Sequence, residues 1–220
     1  MVNTTIPYES MSCTIRLRYA LDLRSIFGDI DIYFFDQLLR GRLAPGARVL
    51  DAGCGAGRNL VYLLREGHEV FAADVDPHAV DAVRRLAAAL APQLPASNFR
   101  VEAIEAMTFP DASADVVISS AVLHFARDHD HFDRMLAASW RALAPGGLFF
   151  CRLASSIGMA DRMQPLGGGR FALPDGSERY LVDADRLTTA AAALGGRLVD
   201  PLKTTIVQNQ RCMTTWVMTR

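Results

Sequence analysis

Three glycines at alternate positions, Gly53, Gly55 and Gly57, sit in the run Val49-Leu50-Asp51-Ala52-Gly53-Cys54-Gly55-Ala56-Gly57-Arg58-Asn59. A short apolar segment leads into them and a helical pattern follows at once. Glycine lets a backbone approach a bound ligand where a Cβ would clash. At the C-terminal end of a strand, before a helix N-terminus, such a turn marks a nucleotide-type pocket in an open α/β sheet. The dinucleotide form, G-x-G-x-x-G, needs its last glycine where this chain has Arg58. The spacing here is G-x-G-x-G behind an acid, Asp51, which disfavours a nicotinamide oxidoreductase. A second acid is expected at the end of the next strand, to accept ribose hydroxyls. Asp74 and Asp76 compete for that role. Asp76 precedes Pro77, which favours the first helical position, so Asp76 is the natural N-cap. Asp74 is left free for a ribose.

Other residue types could also do chemistry. His124, in Ala121-Val122-Leu123-His124-Phe125, is either a general base or a histidine bonded to backbone that holds its loop. His129 and His131 with Asp128 and Asp130 form a local cluster, but their spacing fits no familiar zinc pattern and no metal is expected. Asp130 reads more simply as an N-cap. Arg152, at the end of a strand, is either a ligand for an anionic substrate group or half of a surface ion pair. Tyr33, Phe34 and Phe35 either cap a pocket or pack a core. Cys13, Cys54, Cys151 and Cys212 are far apart, with no C-x-x-C pair. That pattern suits reduced thiols better than a disulfide framework. A thiolate cluster for a soft metalloid is conceivable, but Cys151 and Cys212 fall in strands, where small buried roles are the simpler reading.

The elements that must position these residues follow from periodicity. Ile26, Ile30, Phe34 and Leu38 predict an amphipathic helix from Ser25 to Gly41. Strands are expected at Ala47–Asp51, Glu69–Asp74, Phe99–Ile104, Asp115–Ser119 and Leu148–Leu153. Helices are expected at Asn59–Glu66, Pro77–Ala91 and His131–Leu143, with a turn at Ala144-Pro145-Gly146-Gly147. Alternation of this kind implies a parallel sheet with right-handed crossovers. Beyond Leu153 the pattern changes. Gly167-Gly168-Gly169 reads as a flexible spacer, and Arg170–Leu173 and Ser177–Val182 as a hairpin around Pro174-Asp175-Gly176. A helix at Asp183–Leu194 and strand-like runs at Arg197–Val207 and Cys212–Thr219 close the chain.

The run from Ala47 to Leu153 resembles the class I S-adenosylmethionine-dependent methyltransferases. The likeness is carried by VLDAGCGAGRN, FAADVDP, FPDASADVVISSAVLHF and LAPGGLFF. GRN, followed by Tyr62-Leu63 and Gly67-His68-Glu69-Val70, is similar to the tellurite-resistance type. The resemblance implies an open Rossmann-like α/β sheet, mostly parallel with an antiparallel last strand and helices on both faces. It implies S-adenosylmethionine as cofactor. Gly53, Cys54 and Gly55 would pass its methionine part, Asp51 would lie near its ammonium, Asp74 would take the ribose, and Ser119 would lie beside the methionine end. The family's acid near adenine falls at Ala103 here, so Glu105 is taken in its place, with Glu102 as the alternative. His124 would be the base if one is used; Tyr33, Phe125 and Arg152 would meet the acceptor. Residues 1–45 would form a helical lid segment and 46–220 the methyltransferase domain, with the 167–182 hairpin as substrate lid.

Composition narrows the partner. A net charge of −1 with scattered basic residues argues against a nucleic-acid footprint, so a small-molecule acceptor is expected. The start, Met1-Val2-Asn3-Thr4-Thr5, lacks a signal-peptide pattern and no run is long enough to span a membrane. A cytoplasmic enzyme is the expectation; a regulatory protein that binds the cofactor without transfer is the alternative.

Overall fold

The computed structural model describes residues 22–220; Cys13 and the weakly periodic start lie outside them. Two short helices, α1 (Leu23–Phe27) and α2 (Ile32–Leu39), precede strand β1 (Arg48–Ala52). Then come α3 (Val61–Arg65), β2 (Glu69–Asp74), α4 (Pro77–Leu90), β3 (Phe99–Val101), β4 (Ala114–Ser120), α5 (His129–Ala142) and β5 (Leu143–Ala154). The remainder is β6 (Gln164–Gly167), β7 (Arg170–Ala172), β8 (Glu178–Tyr180), α6 (Ala184–Ala193), β9 (Arg197–Leu198), β10 (Lys203–Val207) and β11 (Arg211–Thr219).

The main sheet runs β10-β11-β5-β4-β1-β2-β3, with β9 on β11. Strands β3, β2, β1, β4 and β5 are parallel. β11 pairs antiparallel with β5, and β10 with β11. Strands buried on both faces divide their side chains between two cores. Leu50, Val117, Phe149, Cys151 and Leu153 pack under α5 and α6. Val49, Val116, Ile118, Leu148 and Phe150 pack under α2, α3 and α4. The chain leaves β1 for β2 and β3, then crosses back to β4. The sheet's switch point therefore lies between β1 and β4, where a crevice opens at the strand ends.

Several local expectations change, among them the run Arg197–Val207, which is split into β9 and β10, and the strand from Phe99, which ends at Val101. The helix predicted over Ser25–Gly41 is two helices. Gly28 sits at φ +65°, where an added Cβ would lie 2.7 Å from Val61 Cγ2, and Asp31 starts α2 as an N-cap by accepting the Tyr33 N–H at 3.0 Å. Four-residue spacing persists across that break, so periodicity alone hides it. Helix α5 begins at His129, capped by Asp128, whose side chain accepts the His131 N–H at 2.7 Å; Asp130 instead sits in the first turn. The Ala144–Gly147 turn is absorbed as an irregularity inside β5, whose pairing with β4 jumps from Ala114↔Leu143 to Val116↔Leu148. The hairpin gains a third strand, β6, so that β6-β7-β8 form a separate sheet. Gly169 is packed, where a free spacer was expected: a Cβ there would lie 2.4 Å from the Tyr180 ring.

Candidate active site

The glycine turn leaves β1 and is stitched to the end of β2. Gly53 and Cys54 both donate to the Ala73 carbonyl, at 2.8 and 3.0 Å, and the Gly55 N–H donates to Asp74 Oδ2 at 2.8 Å. Gly53 has φ +91°, and a Cβ there would sit 2.3 Å from Val122 Cγ2, on the loop after β4. Gly55 also has positive φ, but its missing Cβ faces open space. So Gly53 brings two loops together, and Gly55 leaves bare backbone at the cleft. Asp74 is not free. Its other oxygen accepts the Asp76 N–H at 3.0 Å. It lines the cleft while fixing the turn. Asp76 caps α4 as expected, accepting the His78 N–H at 2.9 Å ahead of Pro77.

The cleft has a volume of about 950 Å³ and lies over the ends of β1, β2 and β4. Gly53, Cys54, Gly55, Asp74 and Glu105 line one part of it; His124, Phe125 and Arg152 line another. Asp51 and Ser119 do not line it. Asp51 is buried, both carboxylate oxygens lack a partner among the described residues, and burial pushes its pKa up to about 7, with Arg58 opposing and Asp74 adding to the rise. An unpaired buried carboxylate is costly unless a ligand or water satisfies it. Ser119 is fully buried beside its strand partner Cys151, and the alternation of β4 presents Ser120 to the cleft instead. Burial pushes the Cys54 thiol up, so the residue contributes backbone and volume, not a thiolate.

Of the two acids near β3, Glu102 turns away and binds Thr108, at 2.8 Å through N–H and 2.6 Å through the hydroxyl. Glu105 lines the cleft. His131 Nδ1 accepts the Arg127 N–H at 3.1 Å, which leaves its Nε2–H to donate to Glu105 at 2.9 Å. Burial raises the Glu105 pKa, but its own backbone N–H and His131 outweigh that and hold it below the usual carboxylate range. The histidine cluster is thus divided: His131 on Glu105, His129 against the Tyr180 hydroxyl at 2.9 Å, and Asp128 on a helix N-terminus. Among the described residues no group of three or more His, Cys, Asp or Glu side chains is arranged to hold a metal. Cys151 and Cys212 lie in different core clusters.

His124 is buried, on a 3-10 turn after β4. Its Nδ1 accepts the Ala154 N–H at 3.1 Å, so the ring proton resides on Nε2. Burial lowers its pKa to about 4, with Arg179 and Arg152 lowering it further. The ring is a neutral hydrogen-bond donor that also ties the β4 loop to the end of β5. Arg152 Nη1 reaches Asp31 Oδ2 at 3.3 Å, and its guanidinium lies 5.1 Å from the centre of the Tyr33 ring. Tyr33 does not line the cleft. Its hydroxyl bonds Thr205 at 2.5 Å, and the ring supports Arg152, which does line it. Phe34 is fully buried against Phe150, and Phe35 packs on Phe27. Phe125 is well exposed at the cleft, with Arg179 4.9 Å from its ring centre.

Residues beyond the sequence reading complete the site. Asp31 is buried and accepts from Ser120 at 2.9 Å and from Arg58 and Arg152 at 3.3 Å each; its own N–H donates to Asn59 at 2.9 Å. Asp29 and Asp31 both follow Gly28 closely as N-cap candidates, a local signal that the four-residue apolar spacing across Ser25–Gly41 overrides. Nothing local points to its distant partners. Arg179 and Arg211 reach the cleft from β8 and β11, a convergence that only the chain path reveals.

The fold and this site define a class I methyltransferase architecture, and known proteins agree. Residues 50–151 match the family described as a methyltransferase domain. The chain is 32% identical over 167 residues to malonyl-[acyl-carrier protein] O-methyltransferase of Serratia marcescens, covering 74% of this chain and 59% of that enzyme. Among solved structures it resembles the 1,6-didemethyltoxoflavin-N1-methyltransferase of Burkholderia thailandensis, with its substrate and S-adenosylhomocysteine bound (TM-score 0.65, 20% identity, covering 90% of this chain and 81% of that one). A TehB-like methyltransferase of Corynebacterium glutamicum shares the fold at TM-score 0.59 and 21% identity, covering 94% and 95%. The chain thus carries a methyltransferase domain over residues 50–151 and is similar along most of its described length to methyltransferases; S-adenosylmethionine is the cofactor that this domain implies. It spans between half and two thirds of the length of the first curated relatives it matches. No helix among the described residues is long and apolar enough to cross a membrane.

Proposed function

We propose that this chain transfers the methyl group of S-adenosylmethionine to a small organic acceptor bound in the same cleft. The observation that carries the reading is continuity: a single cleft of about 950 Å³ joins the glycine turn, Asp74 and Glu105 to His124, Phe125 and Arg152. That volume suits a nucleoside-sized donor and a small molecule. The cofactor supplies a methyl group already activated on a sulfonium. The protein's task is then alignment and exclusion of water.

In this reading Gly53, Cys54 and Gly55 provide the backbone rim for the methionine part, and Asp51, buried on β1 just before that rim, supplies the counter-charge for the ammonium without lining the cleft itself. Asp74 keeps lone pairs for ribose hydroxyls beyond its two backbone bonds, and Glu105 lies toward the adenine. Ser120 takes the place expected of Ser119. Phe125 and Arg152 meet the acceptor, with Tyr33 supporting Arg152. The β6-β7-β8 sheet, which brings Leu173, Asp175, Ser177 and Arg179 to the cleft, serves as the lid.

Calorimetry with S-adenosylmethionine, followed by S-adenosylhomocysteine release across a panel of small acceptors, tests the proposal. Binding with release supports it. Failure to bind S-adenosylmethionine overturns it, and binding without release across the panel would favour a regulatory binder.

A further inference from the structure

The acceptor end of the cleft is rich in donors and poor in proton acceptors. Arg152, Arg179 and Arg211 line it against one carboxylate, Asp175, while Arg127 lies 4.0 Å from Glu105 at the other end. Asp175 is engaged by the Ser177 N–H at 2.9 Å and the Ser177 hydroxyl at 2.6 Å. These bonds, with Arg211 and Arg179 nearby, hold it below the usual carboxylate range, which makes it a weak base. His124 has its acceptor nitrogen filled by Ala154 N–H and retains only a donor. His131 is occupied at both nitrogens, and Glu105 is taken up by His131. Arg152 is anchored through Nη1 on Asp31 at 3.3 Å, and its buried Nε has no hydrogen-bond partner among the described residues. Arg179, over the exposed Phe125 ring, has as its hydrogen-bond partner the Glu178 carbonyl at 2.7 Å.

A neutral alcohol, thiol or ammonium nucleophile must lose a proton before or during attack, and a positioned base provides for that. These residues provide none. An acceptor that is ionised in water at neutral pH needs none, and carboxylic acids are the common organic groups that meet that condition. We propose that the acceptor is an organic carboxylic acid, methylated on its own carboxylate oxygen and held by Arg152, Arg179 and the His124 Nε2–H against the Phe125 wall. This rests on the methyl-transfer reading above. One carboxylate oxygen is held by the donors while the other forms a bond to the methyl carbon. The carbon–sulfur bond breaks with its electron pair on sulfur, the sulfonium becomes a neutral thioether, the acid becomes a methyl ester, and no proton moves.

The test uses the full chain saturated with S-adenosylhomocysteine. Benzoate, 4-hydroxybenzoate, 4-aminobenzoate and hexanoate are compared with their carboxamides by calorimetry. At least one acid should bind about tenfold tighter than its amide, the value of one charge-assisted contact. Arg179→Gln should erase that preference while leaving S-adenosylhomocysteine affinity unchanged. With S-adenosylmethionine, the product should be a base-labile methyl ester, the phenolic and amino groups remaining unmethylated. If S-adenosylhomocysteine does not bind, the methyl-transfer reading falls and this inference with it. If it binds normally but amides match acids, neither class binds, Arg179→Gln leaves the preference intact, or the methyl is found on hydroxyl or amine, this inference alone is overturned.

Discussion

At the scale of single residues, two buried groups carry opposite electrostatic burdens. Asp51 has a native pKa of about 7, raised by burial from an ordinary carboxylate value. A raised native pKa means that its contribution to stability is full below the ordinary carboxylate range and is lost as pH rises toward about 7. Asp51→Asn removes that loss. In ligand-free protein the variant should gain on the wild type by about 2 kcal/mol between pH 5 and 8, measured by urea unfolding. Its affinity for S-adenosylmethionine at pH 8 should fall about tenfold, because the ammonium loses its counter-charge. Equal unfolding profiles across that range would remove the unpaired carboxylate from the account. His124 behaves inversely. With Nδ1 filled and a pKa of about 4, it is not poised as a base. His124→Gln keeps both an acceptor for the Ala154 N–H and a donor, so turnover should stay above about a tenth of wild type, where loss of a true general base costs about a hundredfold or more. The wild-type pH–rate profile should show no inflection near 6.5. A hundredfold loss together with such an inflection would restore the base. Sequence could place His124 at the site but could not decide its role, because its acceptor nitrogen is filled from β5, thirty residues on.

At the scale of elements, the parts of the fold visible in sequence are those whose signals are local. β2 runs from Glu69 to Asp74 as its apolar run predicts, and α4 starts where Asp76-Pro77 says it should. Elements that depend on distant partners do not show in the local pattern. The α1–α2 break is set by Val61 packing on Gly28, and the bulge in β5 by its register with β4. The same distinction explains Asp31. As a cap it is a local feature; as a junction it joins α2 to the glycine turn through Arg58 and Asn59, to β4 through Ser120 and to β5 through Arg152. Removing one partner from a buried charged network leaves the others unpaired. Asp31→Ala should therefore lower stability by about 3 kcal/mol by chemical denaturation. Because Arg152 loses its anchor, KM for the acceptor should rise more than the S-adenosylmethionine Kd. If the two constants move together, or neither moves, Asp31 is a helix cap and nothing more.

At the scale of the whole molecule, the glycine-turn half of the cleft is legible in sequence because Gly53, Gly55 and Asp74 come from consecutive strand ends. Each motif sits a few residues from the strand that aims it, and a parallel sheet with its switch point beside β1 gathers them without further information. The acceptor half draws on α2, β5, the β6-β7-β8 sheet and β11, whose meeting depends on the complete chain path. A ligand filling the cleft contacts loops from across the sheet, and none of that surface survives unfolding, so binding must appear as global stability. At one hundred times its Kd, S-adenosylhomocysteine should add about 2.7 kcal/mol. For a chain of this length that corresponds to a Tm increase of roughly 5–10 °C. Asp74→Ala should lose most of that increase, since it removes the proposed ribose acceptor and frees the Gly55 N–H together. NADH provides the contrast. Its binding turn needs a last glycine, for close helix–strand packing, at the position occupied by Arg58. NADH at the same concentration should leave Tm unchanged, and an increase equal to that from S-adenosylhomocysteine would overturn the cofactor reading drawn from the glycine spacing.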